Sequence, residues 1–430
     1  MVTVIVTFFI LGYLCIALES VLKINKAVPA LLMCVVCWTL YACGFPGMDT
    51  SGRLLHHLGE TCEILFFLMG AMTIVEIVDA NGGFYFVHDA LATTSKRKLL
   101  WRITAMAFIL SAILDNLTTS IVMIMVLRKL VDDHNDRMIF GGMIIIAANA
   151  GGAFSPIGDV TTIMLWIKGM ITTGGVISQL LLPSVVSVVV SALLCSMYLN
   201  GEIKPAVNTD NSAAAAQTPG DRNLILFIGV GGLIFVPIFR ILTGLPPFMG
   251  ILLALGVLWL VSEFRCNRHA LLCESSHLKV TTLLSRIDMA TILFFLGILL
   301  AVATLQETGV LTAFGQWLNE VSNGNHYLVT GIIGVVSSIV DNVPLVAGCM
   351  DMYPIAATGD FAADGVFWQL LAYCAGVGGS MLIIGSAAGV VVMGLEKISF
   401  GWYLRRFSWI AFVGYCAGIA IYAIEHLLFF

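Results

Sequence analysis

Apolar blocks of close to twenty residues follow one another along almost the whole 430-residue chain. About 20 helical residues cross the hydrocarbon core of a bilayer. Inside that core every backbone N–H and C=O must be paired within the protein, so a spanning segment is either a helix or a strand of a closed barrel. A barrel would show ten-residue stretches of alternating polarity, whereas these blocks are continuously apolar. Composition supports the helical choice: 59% of residues are apolar and 11% charged, against about 45–50% and about 25% in soluble domains. Too few charges remain to coat a water-soluble fold of this size. The net charge of −5, with no basic stripe, offers nucleic acid no surface. Most of the 11 cysteines sit inside apolar blocks. Cys34 and Cys37, spaced C-x-x-C, read as small packing residues, and no disulfide framework is implied.

The blocks predict simple spans over Val2–Ala17, Val28–Cys43, Cys62–Val78, Val176–Leu199, Leu224–Ile241, Phe248–Val261, Met289–Leu305 and Tyr403–Ile424. Two longer blocks, 139–166 and 366–395, are interrupted by glycine and polar residues, and each reads as one broken helix. Two more, 99–130 and 327–357, carry Asp-Asn at their centres. Each is long enough for two half-length helices and short for two complete crossings. The two halves of the chain match. Ile64-Leu-Phe-Phe-Leu68 recurs as Ile292-Leu-Phe-Phe-Leu296, Ser111-Ala-Ile-Leu-Asp-Asn116 as Ser337-Ser-Ile-Val-Asp-Asn342, and Gly151-Gly152 with Gly158 as Gly378-Gly379 with Gly385, at offsets of 228, 226 and 227 residues. The expected fold is therefore an all-α polytopic membrane protein built from two repeats. The repeats cover 1–200 and 223–430 and are joined by a cytoplasmic linker, 201–222. Each holds five transmembrane helices, one of them broken, plus one re-entrant hairpin.

An odd number of spans turns the second repeat upside down relative to the first, and charge tests this. With both Asp-Asn segments as hairpins that return to the side they came from, 18 of the 21 lysines and arginines fall on one side. Only Arg53, Lys168 and Arg240 fall on the other. Positive residues mark the cytoplasmic side, which puts both termini outside. Hairpin 99–130 then enters from the cytoplasm and 327–357 from outside. Inverted repeats whose broken helices meet near the midplane are the architecture of secondary transporters.

Ionisable groups at membrane depth cost about 3 kcal/mol each on insertion scales, and a chain that keeps several uses them. The first hairpin tip supplies Asp115, Asn116, Thr118 and Thr119, and the first helix break Asn149, Ser155, Asp159, Thr161 and Thr162. The second half supplies Ser337, Asp341 and Asn342 at its hairpin and Ser380 and Ser386 at its break. Glycines and Pro156 stop both broken helices and free carbonyls. Carboxylate, amide, hydroxyl and carbonyl oxygens are hard donors that suit Na⁺ or Li⁺. The three acids oppose an anionic cargo. A carboxylate holds either a metal ion or a proton, so the two would compete for one site. If the carrier moves only with its acid neutralised, exchange becomes obligatory. Glu63 and Glu76, near or within a span, are candidate proton relays. An intramembrane aspartyl protease would need two acids facing one water. The duplicated hairpins and breaks fit alternating access instead, so no enzymatic activity and no cofactor beyond the transported ions is expected.

Asp115-Asn-Leu-Thr-Thr119, Asn149 with Ser155-Pro-Ile-Gly-Asp-Val-Thr-Thr162, and Asp341-Asn-Val-Pro344 resemble the NhaD-type sodium/proton antiporters of the ion transporter superfamily over nearly the whole chain. The resemblance implies Na⁺(Li⁺)/H⁺ exchange across a bacterial inner membrane. It also implies a homodimer with scaffold and transport parts and elevator-like motion. Asp115, Asn116, Asn149, Asp159, Thr161, Thr162, Asp341 and Asn342 fall on the family's functional positions, and Na⁺ would sit at Asp115, Asn116, Asp159, Asp341 and Asn342. Superfamily relatives carry di- or tricarboxylates or arsenite, which is the alternative cargo.

Overall fold

A computed structural model describes residues 1–17, 22–199, 201–203, 219–268, 279–339, 342–383 and 385–429. Most of the expected linker, and Asp341 at the second hairpin tip, lie outside the described residues. The described chain is helical, with isolated bridges such as Pro46 to Met48 as its only β pairing. Among the described residues, seven helices are long and apolar enough to cross a membrane on their own. Val2–Ala17 adds a shorter apolar helix, and the two broken helices appear as His134–Ala153 with Val160–Ile167 and Val366–Gly378 with Ala387–Glu396. The segments expected as hairpins hold Lys96–Ser111 followed by Asn116–Leu130, and His326–Ser337 followed by Asn342–Met350.

Two expected spans change their limits. The one placed at Cys62–Val78 starts twelve residues earlier, at Thr50, because Asp49 caps it by accepting from Gly52 N–H at 2.9 Å. The resulting 31-residue helix Thr50–Ala80 is about 46 Å long, so its polar ends reach beyond the hydrocarbon layer. The span placed at Tyr403–Ile424 divides into Phe400–Arg406 and Ser408–Phe429. Arg405 and Arg406 close the short helix, and two strongly hydrated cations do not enter a bilayer core. Large apolar side chains stand exposed along the simple spans, for example Leu32, Val35, Phe227, Ile241 and Leu242. A surface of this kind is covered by lipid rather than water.

The helices form two packed groups around the site. Thr50–Ala80 lies against Met289–Glu307, Pro219–Thr243 and Pro247–Arg268, and Ala27–Gly44 covers Met289–Glu307. The broken helices pack on the hairpins and on Thr173–Ser196 and Ser408–Phe429. Within this second group the same contacts occur twice. Ser111 Oγ donates to the Ala148 carbonyl at 2.5 Å, and Ser337 Oγ donates to the Ala375 carbonyl at 2.8 Å. Gly151 lies against the Phe108 carbonyl and Gly378 against the Gly334 carbonyl, and a methyl group at either position would overlap that oxygen. In both halves a hairpin serine and a broken-helix glycine lock the two backbones together, so that the hairpin tip and the helix break end up side by side.

Candidate functional site

Each helix break is capped by its own sequence. Asp159 accepts from Thr161 N–H at 3.1 Å and starts Val160–Ile167. Ser386 accepts from Gly389 N–H at 3.2 Å and starts Ala387–Glu396. The Asp159 carboxylate thus answers the partial positive charge of a helix N-terminus. It is 1% exposed.

The hairpin tip and both breaks meet through amides. Asn116 Nδ2 donates to Asp159 Oδ2 at 3.1 Å and to Asn149 Oδ1 at 3.0 Å. Asn149 Nδ2 donates in turn to Ser380 Oγ and Ser386 Oγ, both at 2.9 Å. Asn116, Asn149, Asp159, Ser380 and Ser386 are all buried. Asn149 has Gly376 as its counterpart in the second half, at the same offset of 227 residues. A Cβ at Gly376 would stand 3.5 Å from Asp159 Oδ2, so the missing side chain leaves room beside the carboxylate. The hydroxyls of Thr119, Thr161 and Thr162 are fully buried and, among the described residues, have no hydrogen-bond partner. Buried hydroxyls are normally satisfied. Three orphans on the elements that carry Asn116 and Asp159 are oxygens available to a small hard cation, which among side-chain donors prefers carboxylate, amide and hydroxyl oxygen.

The remaining expected residues are placed differently. Asp115 is held by its own turn, accepting from Thr118 N–H at 2.7 Å and Thr118 Oγ1 at 2.9 Å. Its φ of 119° with ψ of 162° falls in a region that glycine occupies readily and other residues rarely, at a cost of about 1–3 kcal/mol. Ser155 donates to the Ala112 carbonyl at 2.5 Å, and Ser337 is engaged by Ala375. Both hydroxyls pin backbone. Asn342 is buried at the start of Asn342–Met350. Glu63 and Glu76 lie apart from the cluster on Thr50–Ala80, and Glu76 pairs with Arg286 at 3.3 Å.

Sequence reasoning missed a second polar group. His57 Nε2 meets Glu307 Oε1 at 2.9 Å, Glu307 also binds Arg53, and Lys168 Nζ meets Glu60 Oε2 at 2.7 Å. Arg240 Nη1 donates to the Trp166 carbonyl at 2.5 Å and lies 4.6 Å over the Trp166 ring. The three cations assigned to the charge-poor side are therefore all engaged in one region. The signal was present in the lysine and arginine count but not in any motif. On the other face Glu396, 2% exposed, pairs with Arg128 at 2.6 Å and Arg137 at 3.0 Å. Arg128 and Arg137 belong to the charge-rich side and Arg53 and Lys168 to the charge-poor one, so these two groups of ion pairs fall on opposite assigned sides.

Known proteins align with this sequence. Residues 13–371 match the family model described as CitMHS, citrate transporter. "Sodium/proton antiporter 1" of Arabidopsis thaliana is 48% identical over 98% of this chain and 72% of its own length. "Sodium/proton antiporter 2" of the same plant is 45% identical over 97% of this chain and 98% of its own. The Na(+)/H(+) antiporter NhaD of Alkalimonas amylolytica is 30% identical over 97% of this chain and 89% of its own length. With most of its length matched in each comparison, the chain belongs to the CitMHS transporter family and is of the NhaD sodium/proton antiporter type.

Proposed function

We propose that the protein exchanges Na⁺, and also Li⁺, for H⁺, with cation and proton competing for the buried carboxylate of Asp159. The observation that carries the reading is this acid, held between Asn116 and Thr161, with three unsatisfied buried hydroxyls on the helices that carry Asn116 and follow Asp159. An uncompensated carboxylate does not cross a low-dielectric barrier, because its desolvation costs several kcal/mol. Asp159 therefore travels with either a proton or a cation, and return with the other makes exchange obligatory. Asn149 and Asn116 orient the pocket. The tip residues Asp115, Asp341 and Asn342 complete the proposed cation set. Thr118 holds Asp115 back only until the ion arrives.

Alternating access belongs to the same proposal, with two inverted repeats and the hairpins entering from opposite faces. The repeated Ser111/Ser337 and Gly151/Gly378 contacts support it, and so does the separation of ion pairs by side. Both termini then face away from the charge-rich side. The relatives named as antiporters come from a plant as well as from a bacterium, so the orientation is proposed for the membrane in general rather than a bacterial one in particular. A homodimer, implied by the family resemblance, completes the proposal.

The family description favours a second reading, citrate transport. A tricarboxylate at this cluster would face Asp159, and the described cations nearest in sequence, such as Lys168, are already paired. A pH gradient across vesicles holding the purified protein decides between them. Dissipation on adding Na⁺ or Li⁺, with none on adding K⁺ or citrate, is expected. Dissipation by citrate alone overturns the antiporter reading.

A further inference from the structure

The half-helix Val160–Ile167 carries Asp159 at its N-terminus and is gripped at its other end. Lys168, the next residue, pairs with Glu60 of Thr50–Ala80 at 2.7 Å. Arg240 of Pro219–Thr243 holds the Trp166 carbonyl. Both partners belong to the group of simple spans, whereas Val160–Ile167 packs mainly on Asn342–Met350 of the second hairpin and on Val366–Gly378, and more lightly on Thr50–Ala80. The grip therefore joins the two helix groups on the charge-poor side. Beside it lies a cavity of ≈ 40 Å³ lined by His57, Glu60, Met164, Lys168, Met350 and Asp351, among others. That volume holds a few waters.

Asp351 occupies the turn after Asn342–Met350. It lines the same cavity, close enough for Lys168, His57 and Glu60 to act on its charge. It accepts no hydrogen bond and makes no ion pair with any described residue. Two carboxylates thus line one cavity with a single ammonium, and only Glu60 pairs with it. Glu60 stays with Thr50–Ala80, and Asp351 stays with the hairpin that packs on Val160–Ile167.

We propose that Lys168 is the moving part of an outer gate, paired with Glu60 while the gate is shut and with Asp351 while it is open. The proposal rests on the alternating-access reading above. Its physical reason is charge compensation. A half-buried ammonium that left Glu60 without a replacement would be stranded in a low-dielectric interface. Asp351 supplies the replacement from the departing group itself. Lys168 and Asp351 are positioning residues, since neither touches the Asn116–Asp159 cluster. Arg240 steadies the helix end through the Trp166 and Ile167 carbonyls and does not line the cavity, so the switch falls to Lys168.

Hydrogen exchange followed by mass spectrometry on the full-length protein in lipid nanodiscs tests this without any transported ion. Residues 164–171 report, because Lys168, Gly169 and Met170 N–H close the helix end on Met164, Trp166 and Leu165 carbonyls. Glu60→Gln frees the grip and speeds exchange there, and Asp351→Asn favours the shut gate and slows it, each by about fivefold for a partly exposed pair. The double variant returns towards the parent. Unchanged exchange over 27–44 verifies that each variant is folded. Opposite signs for the two single variants support the gate. Equal signs, or no effect of Asp351→Asn, overturn it. Failure of the parent to move Na⁺ or H⁺ in vesicles would sink the antiporter reading while leaving this result legible.

Discussion

The two helix breaks share their supports and differ in their chemistry. Ser111 and Ser337, and Gly151 and Gly378, hold hairpin to broken helix in the same way in both halves. At the caps the halves part: the first break starts its second half-helix with Asp159, the second with Ser386. Asn149 of the first is Gly376 in the second. The two halves thus offer matching frames, and of the two breaks only the first carries an acid. An acid at the second break would add another desolvation penalty of about 3 kcal/mol. Serines instead orient Asn149 through its amide at 2.9 Å. The second break serves the first, as a frame for an acid it does not itself carry.

The comparison breaks most sharply at the caps. Asp159→Asn keeps a capping oxygen and a similar shape but can neither bind a proton nor balance a cation. Na⁺-dependent proton flux should fall by about a hundredfold or more, in keeping with the 3–5 kcal/mol typical of losing one partner of a buried charge. Thermal unfolding should move little, and flux in vesicles is the measurement. Survival of near-normal flux would remove Asp159 from the ion path.

The shared frame is probed next. Gly151→Ala and Gly378→Ala each force a methyl group against a carbonyl of the facing hairpin helix. Overpacking of this kind costs about 1–3 kcal/mol, so both should lower the thermal midpoint, and by similar amounts. A large effect in one and none in the other would show that the halves are not mechanically equivalent. Asn149→Ala is expected to come third. It removes hydrogen bonds to Asn116, Ser380 and Ser386 at about 1 kcal/mol each. The Na⁺ needed for half-maximal flux should rise about tenfold or more.

Much of this arrangement is legible in the sequence, because membrane depth makes polar residues conspicuous. Asn116, Asn149, Asp159, Ser380 and Ser386 stand out as polar groups in apolar blocks, and they meet. Ser155 and Ser337 stand out equally but bind backbone carbonyls, and a sequence does not tell a hydroxyl facing a pocket from one facing a carbonyl. Asp115 stands out by position as much as Asp159 does. Its neighbour Asn116 makes the contact instead, because the strained turn at φ 119° aims the Asp115 carboxylate back at Thr118. The gate residues Glu60, Lys168 and Asp351 were illegible for another reason. Lys168 and Asp351 follow helix ends and Glu60 lies in the polar first third of Thr50–Ala80, where charge is unremarkable, and only three-dimensional packing brings residues so distant in the chain to one cavity.

The smallest effects separate the two serines of the second break. Ser380 Oγ serves Asn149 alone among the described hydrogen bonds, while its carbonyl accepts from Tyr403 Oη at 2.8 Å. Ser386 Oγ serves Asn149 and also caps Ala387–Glu396 through Gly389 N–H. Losing a helix cap costs about 1 kcal/mol, and losing one neutral hydrogen bond costs about the same. Ser386→Ala should therefore destabilise by about twice as much as Ser380→Ala, read as thermal midpoints in detergent. Each should raise the Na⁺ needed for half-maximal flux by only about fivefold, since Asn149 keeps its other serine and its bond from Asn116. Loss of all flux in Ser380→Ala, with folding intact, would mean that the second break touches the ion itself. The two breaks would then be partners in binding, and the reading of one as frame for the other would fall.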